Sequence, residues 1–325
     1  MTPLNPLGRK VETEPKCELH RSFSIWTDLL GFGRPFSDAM WSPNPEVWTA
    51  QTKRVGNAYR RQCENIQASL EGDSYMLLLN DGMVRTLTWR AKSSATLLGL
   101  WVRAGIDAHV SVVRDELADS LPGARTVISS GWTAAHSFSE VQFDDLVLDF
   151  TRARPGMSKL AEMTGNPVVV SNPAPLQLNT AFSRAYLLDA AGSKHGISGA
   201  RVYLDSQFID DISSEFQGRK GFRVNNWERS NDRIFALERL SRSIRKTTPR
   251  QIPTLAEWAA RQPAVEAGII RVMQEFPSRR QPWVFGFLLE RDHITVNLPN
   301  LQTTVYRVLA FFPHDEDPSD FMVDL

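Results

Sequence analysis

An α+β fold, with a central buried helix packed on an antiparallel sheet, is predicted by three features of this sequence. The first is a helix over Ala91 to Ala104 that is apolar almost all round, the pattern of a helix enclosed within a domain. The second is a strand pair, Tyr75 to Leu79 and Met83 to Trp89, joined by the turn signal Asn80-Asp81-Gly82. The third is a set of alternating apolar runs near the C-terminus: Val284 to Leu289, Ile294 to Leu298 and Thr303 to Phe312.

Taken in order, the N-terminal residues 1–20 read as a flexible lead-in, with Pro3, Pro6 and Gly8 close together. Residues 21–44, rich in aromatics and glycine, read as a wrapped loop with short helices. Asn44-Pro45-Glu46 marks a helix start, with proline at the first helical position. That helix runs to about Leu70, with Val47, Ala50, Val55, Ala58, Tyr59 and Ile66 as its buried stripe. Cys63 is expected on its core side. After the strand pair and the apolar helix, Gly105 is read as a left-handed cap. Strands at 108–113 and 125–130 follow, then a hairpin carrying His136 and Asp149. Beyond Pro155-Gly156 the chain is loop-rich. Residues 219–250 hold ten basic against three acidic residues. Part of that stretch is predicted helical, with Ile234, Leu237, Leu240 and Ile244 on one side. It reads as a solvated face or as a dock for an acidic partner. Thr254 to Glu275 is predicted helical. This divides the chain into 1–20, a domain over 21–160 and a C-terminal helical and antiparallel-strand extension over 161–325.

Composition narrows the function classes. Lysine plus arginine and aspartate plus glutamate both number 37 in 325 residues, so no global charge draws the chain to nucleic acid or an anionic membrane. Two cysteines, Cys17 and Cys63, argue against a disulfide framework. No apolar run suggests a membrane span, and the N-terminus lacks a secretory signal. The expected location is the cytoplasm, with signal-less secretion or delivery into a host cell as the alternative. No Cys/His/Asp cluster has metal-ligand spacing, and no glycine-rich phosphate loop stands out.

The candidate chemistry lies at 89–151. A helix start lowers a thiol pKa and offers N–H donors to an oxyanion; position 91 lies at the predicted start, but holds alanine. His136 and Asp149 have the parity that puts two residues on one face of a hairpin. A turn at Asp144-Asp145, however, would set Asp149 opposite Glu140, roughly 13 Å from His136 along the strand. Ser93 and Ser94 are alternative nucleophiles or, more simply, helix caps. Trp89, Lys92 and Trp132 are the candidate substrate-binding residues, with a core role as the plain alternative for Trp89.

Ala91 through Ala108, His136-Ser137-Phe138-Ser139-Glu140-Val141 and Leu148-Asp149-Phe150-Thr151 together resemble the transglutaminase-like superfamily, the papain-like group with a Cys-His-Asp triad. The resemblance covers about 85–155. It implies a papain-like, transglutaminase-type core with a cysteine expected at position 91, His136 as base and then acid, Asp149 as orienter, and neither cofactor nor metal. The implied reaction is acyl transfer at an amide bond, with hydrolysis of a peptide or isopeptide first and cross-linking or deamidation as a further form. With Ala91 the chain as given would be inactive; the intact histidine and aspartate favour a native cysteine there. A non-catalytic module binding a peptide or protein partner is the competing class, and a serine hydrolase using Ser93 or Ser94 the third.

Overall fold

The computed structural model describes residues 16–64, 74–90, 94–137, 176, 178–217, 219, 222–228, 232–239, 264–265, 269–270 and 283–313. Its strands are β1 Lys16–Leu29, β2 Ser74–Leu79, β3 Gly82–Trp89, β4 Ala124–Ser137, β5 Val202–Asp205, β6 Phe222–Glu228, β7 Asp232–Arg239, β8 Ala264–Val265, β9 Ile269–Ile270, β10 Trp283–Glu290, β11 Ile294–Leu298 and β12 Leu301–Pro313. The helices are α1 Arg34–Asp38, α2 Pro45–Glu64, α3 Ala95–Ala118, α4 Thr180–Ala191 and α5 Ser206–Phe216. The fold is α+β, as the sequence predicts.

One sheet dominates, in the order β2-β3-β1-β4-β5-β12-β10-β7-β6, with β11 paired to β12. All its pairings are antiparallel except β4 with β5. The stretch from β1 to β4 has the order strand, helices, hairpin, helix, strand, and the spatial order β2-β3-β1-β4. That is the split βαβ, ferredoxin-like arrangement, not a papain-like one.

The strand β1 replaces the wrapped loop expected from Arg21 onward. Phe23 and Ile25 join the cluster that holds α3 residues Leu98, Trp101 and Ile106. Trp26, on the alternate face, packs against Val127, Leu188 and partly buried Phe182. Helices therefore cover β1 on both sides, and its small polar residues Ser22 and Ser24 are fully buried. A strand buried on both faces shows no simple apolar–polar alternation, which is why the pattern misled.

The central helix α3 differs from its expected form in three ways. Ser94, not a residue near 91, is its N-cap; the hydroxyl accepts from Leu97 N at 3.0 Å. The helix runs without interruption to Ala118, so 108–113 is helical. Gly105 lies inside it, where a Cβ would stand 2.4 Å from Ile25 Cδ1. Gly105 serves close approach of helix to sheet rather than termination. By length and composition α3 is apolar enough to cross a membrane, but most of it is buried in the protein.

On α2 the buried residues are Gln51, Arg54, Ala58 and Gln62. The spacing is helical and Ala58 of the predicted stripe is buried, with Val55 and Tyr59 partly so, but the other three fully buried side chains are polar. Cys63 is exposed and not core-facing. Residues 232–239 form a strand rather than a helix, as do the short pieces within 254–275.

Helix α4 sits directly on β4. A Cβ on Gly131 would meet the Ala181 backbone nitrogen at 2.8 Å and Thr180 Oγ1 at 2.5 Å. Backbone cannot yield as a side-chain tip can, so Gly131→Ala is expected to cost about 1–3 kcal/mol. A lower urea midpoint at unchanged slope checks this; an unchanged midpoint refutes it.

Candidate functional site

The residues picked from sequence are not brought together among the described residues. Ala91, Lys92, Ser93 and Asp149 lie outside them. His136 is on β4, where its Cα partner is Cys17. Trp89 belongs to the core, packing edge-on against Phe23 and Phe216 and donating to Glu215 Oε2 at 3.2 Å. Trp132 is exposed, with the Arg21 guanidinium 4.1 Å above its ring. Ser94 is a cap.

A different set of side chains converges at the other end of β1. The strand ends in Asp28-Leu29, the chain continues through Leu30-Gly31-Phe32-Gly33, and α1 begins. Beside it the Asn80-Asp81 turn joins β2 to β3, with Asp28 opposite Gly82 and Leu29 N donating to Asp81 O at 3.2 Å. Asn80 takes a left-handed φ of 53°, the conformation asparagine tolerates in such hairpins. Tyr59 Oη, from α2, donates to Asn80 O at 2.7 Å and braces the turn. Burial, with the Asp81 charge adding to it, pushes the Tyr59 phenol up.

Asp28 is half-buried and has no hydrogen-bond or ion-pair partner among the described residues. Burial, then the charges of Asp189 and Asp81, push its pKa up from 3.8 to about 7; Arg125 and Arg54 oppose this. Neither arginine is free to neutralise it. Arg125 is spent on Asp189 Oδ1 (2.5 Å), the Asp189 carbonyl (2.9 Å) and the Ile197 carbonyl (3.1 Å). The second Asp189 oxygen accepts from Trp26 Nε1 at 3.1 Å. Arg54 Nε lies 2.9 Å from both Glu116 oxygens, and its Nη2 donates to the Leu30 carbonyl at 2.8 Å. Both arginines thus hold structure, and among the described residues no cation pairs with Asp28, which feels the charges of Asp189 and Asp81.

Beyond Gly31 the chain walls a cleft of about 500 Å³, lined in part by Gly31, Arg34, Asn44, Gln51, Arg54 and Leu121. Gly31 has φ +66° and a Cβ there would touch Pro122; the left-handed residue turns the chain from β1 into α1. Arg34 is highly exposed and its contact with Asp38 is long, 3.6 Å.

Among the described residues no group of three or more His, Cys, Asp and Glu is placed to hold a metal. Magnesium, by contrast, is commonly held by one or two carboxylates with phosphates of the substrate and water completing the shell. An unpartnered carboxylate whose ionisation is opposed by two neighbouring acids is stabilised by a cation in that position.

No protein-family model matches this chain, and no curated protein matches it. Among solved structures it is similar to the guanylyl cyclase Cya2, at 9% identity and TM-score 0.37, over 94% of this chain and 98% of that one. It is also similar to the dimeric guanylyl cyclase domain of RhoGC from the aquatic fungus Blastocladiella emersonii, at 8% identity and TM-score 0.34, over 67% and 93%. The guanylate cyclase domain of RhGC from Catenaria anguillulae, solved with GTP, follows at 9% identity and TM-score 0.31, over 65% and 89%. Likeness of this size assigns no activity. These neighbours are named as cyclase domains and not as transglutaminase-like proteins; what removes the transglutaminase-like resemblance is the sheet order and the geometry of α3. The helix α3 opens at Ala95 with Ser94 as its cap, so its N–H groups are those of the residues after Ser94 and not of a helix that starts at position 91. The glycine expected to end the helix is buried in its middle. The cysteine-peptidase, cross-linking and inactive-module readings fall with the motif.

Sequence reasoning passed over Asp28, Asp81, Arg54, Arg125 and Asp189. Asn80-Asp81-Gly82 was legible as a turn. The further signal was Asp28 at the end of a strand-length run, followed by Gly31 and Gly33.

Proposed function

We propose that this chain is a divalent-cation-dependent enzyme acting on the phosphates of a nucleoside triphosphate, with Asp28 and Asp81 as the protein ligands of the cation. The observation that carries this reading is Asp28: a half-buried carboxylate, without a partner among the described residues, at the end of β1 beside the turn that carries Asp81. A bound divalent ion would neutralise and orient phosphoryl oxygens, a recognised route to phosphoryl transfer. The chain's own groups have distinct tasks. Asp28 and Asp81 must be ionised to bind. Arg54, locked by Glu116, fixes the Leu30 carbonyl and so the path of the loop. Arg34, exposed at the cleft, offers a mobile positive charge to phosphate oxygens.

Titration calorimetry with manganese or magnesium at pH 8, with and without nucleoside triphosphate, tests this. Binding is expected to be tightest with cation and nucleotide together, and to fall at least tenfold in Asp28→Asn and in Asp81→Asn. Release of pyrophosphate is the first catalytic readout, with nucleotide cyclisation, the activity for which the similar cyclases are named, as the first reaction to assay. Absence of cation-dependent nucleotide binding, or its persistence in both variants, refutes the proposal.

A further inference from the structure

Among the described residues the strand β2 is an edge of the main sheet. Leu79 pairs with Gly82, so Asn80 and Asp81 are the two residues of a hairpin tip. Exposed tips are among the first parts of a fold to open. A metal ligand must instead be held within about half an ångström of its working place.

Bonds from three elements meet at this tip. Leu29 N, from β1, donates to the Asp81 carbonyl at 3.2 Å. Tyr59 Oη, from α2, donates to the Asn80 carbonyl at 2.7 Å. Within the turn, Asn80 Nδ2 donates to Asp81 Oδ1 at 3.2 Å. The carboxamide is neutral, so it fixes one carboxylate oxygen without cancelling the charge a cation needs. Asp81 Oδ2 has no partner among the described residues.

The donor on α2 is itself fixed. Tyr59 lies between Arg54, which forks onto Glu116 of α3, and Arg61, whose Nε and Nη2 donate to Asp115 at 2.7 and 3.1 Å. Two such forks from one helix to the next restrain α2 from sliding along α3. The Tyr59 ring packs against the cluster of Ala58, Met83 and Val112, which seats the phenol. Through Arg54 Nη2 the same helix holds the Leu30 carbonyl at 2.8 Å, two residues after Asp28. One helix therefore grips the backbone beside both carboxylates.

We propose that Tyr59 and Asn80 are positioning residues for the cation site. Helix α2 sets the place of Asp81 relative to Asp28, and the Asn80 carboxamide turns Asp81 so that Oδ2 is left for the ion. The proposal rests on the assignment of Asp28 and Asp81 as cation ligands. Groups that orient a metal ligand from behind commonly cost about 10- to 100-fold in metal affinity when removed. The Tyr59 hydroxyl acts through the turn backbone, which places its effect at the lower end of that range.

Manganese affinity at pH 8, measured by calorimetry with ATP or GTP present, reads the arrangement. Tyr59→Phe keeps the ring and removes only the hydroxyl; affinity should fall about tenfold while the urea midpoint stays near that of the unaltered protein. Asn80→Gly accommodates the left-handed φ and removes the carboxamide; it should lose as much or more. In an Asp81→Asn background Tyr59→Phe should cost nothing further, because the ligand it serves is gone. In an Asp28→Asn background the tenfold loss should remain. A hydroxyl that only stabilised the fold would act equally in both backgrounds, and that result overturns the positioning role. Either variant binding manganese as tightly as the unaltered protein overturns the role of that residue, and a loss of binding in Asp81→Asn would then keep the carboxylate site standing. If the unaltered protein binds no manganese with either nucleotide, the carboxylate assignment has failed and the positioning role is overturned with it.

Discussion

Replacing Asp28 by asparagine is expected to stabilise the protein at pH 8 while removing its response to divalent cations. In the native fold the carboxyl holds its proton up to a pKa of about 7, against 3.8 for the unperturbed group. Between those values the folded state binds more protons than the unfolded chain, so stability falls as pH rises from about 4 to about 7 and then levels. Asparagine has no such proton. The two proteins should therefore match near pH 4 and diverge to about 2–3 kcal/mol in favour of the variant at pH 8, after allowance for partial exposure. Magnesium should close the gap from the other side, raising the melting temperature of the native protein above pH 7 and losing that effect below it, since proton and cation compete for one carboxylate. Thermal melts across pH, with and without magnesium, read all of this. Parallel pH profiles for the two proteins would sink it.

Removing Glu116 is expected to be the most damaging single change to stability. Its carboxylate meets the buried Arg54 guanidinium through Nε and Nη2. Glu116→Ala leaves that charge enclosed with only the Leu30 carbonyl, and breaking a buried pair from one side costs about 3–5 kcal/mol. The double change Arg54→Met, Glu116→Leu should cost less than the single one, because it removes both charges together. The double variant should still bind nucleotide poorly, since Arg54 no longer fixes the Leu30-Gly31 turn. Urea unfolding of the three proteins decides the stability part; a single variant that loses less than 1 kcal/mol contradicts it.

Much of the local structure was legible. Pro45 opens α2, the Asn80-Asp81 turn joins β2 to β3, Ser94 caps α3, and the alternating runs near residues 284–312 are strands. These features depend on dihedral preference, capping chemistry and a period of two, all of which neighbouring residues enforce. The errors share a cause. Gly105 was read as a stop, yet Leu98, Trp101, Val102, Ile106, His109, Val112 and Val113 keep a helical period straight past it and are all buried. Gln51, Arg54 and Gln62 are absent from the apolar stripe expected on α2, yet they are buried on it; Glu116 and the Leu30 carbonyl satisfy Arg54, and Arg85 satisfies Gln62.

The sequence alone determined an α+β chain, its turns and caps, and most of its apolar periods, because these are set by residues within a few positions of one another. Only the tertiary structure decided that β1 lies between β3 and β4, and so that Asp28 stands beside Asp81 with Arg125 and Arg54 already committed elsewhere. That choice depends on which distant partners neutralise each buried charge. Residues 28, 54, 81, 116, 125 and 189 are strangers along the chain, and only folding makes them one electrostatic unit.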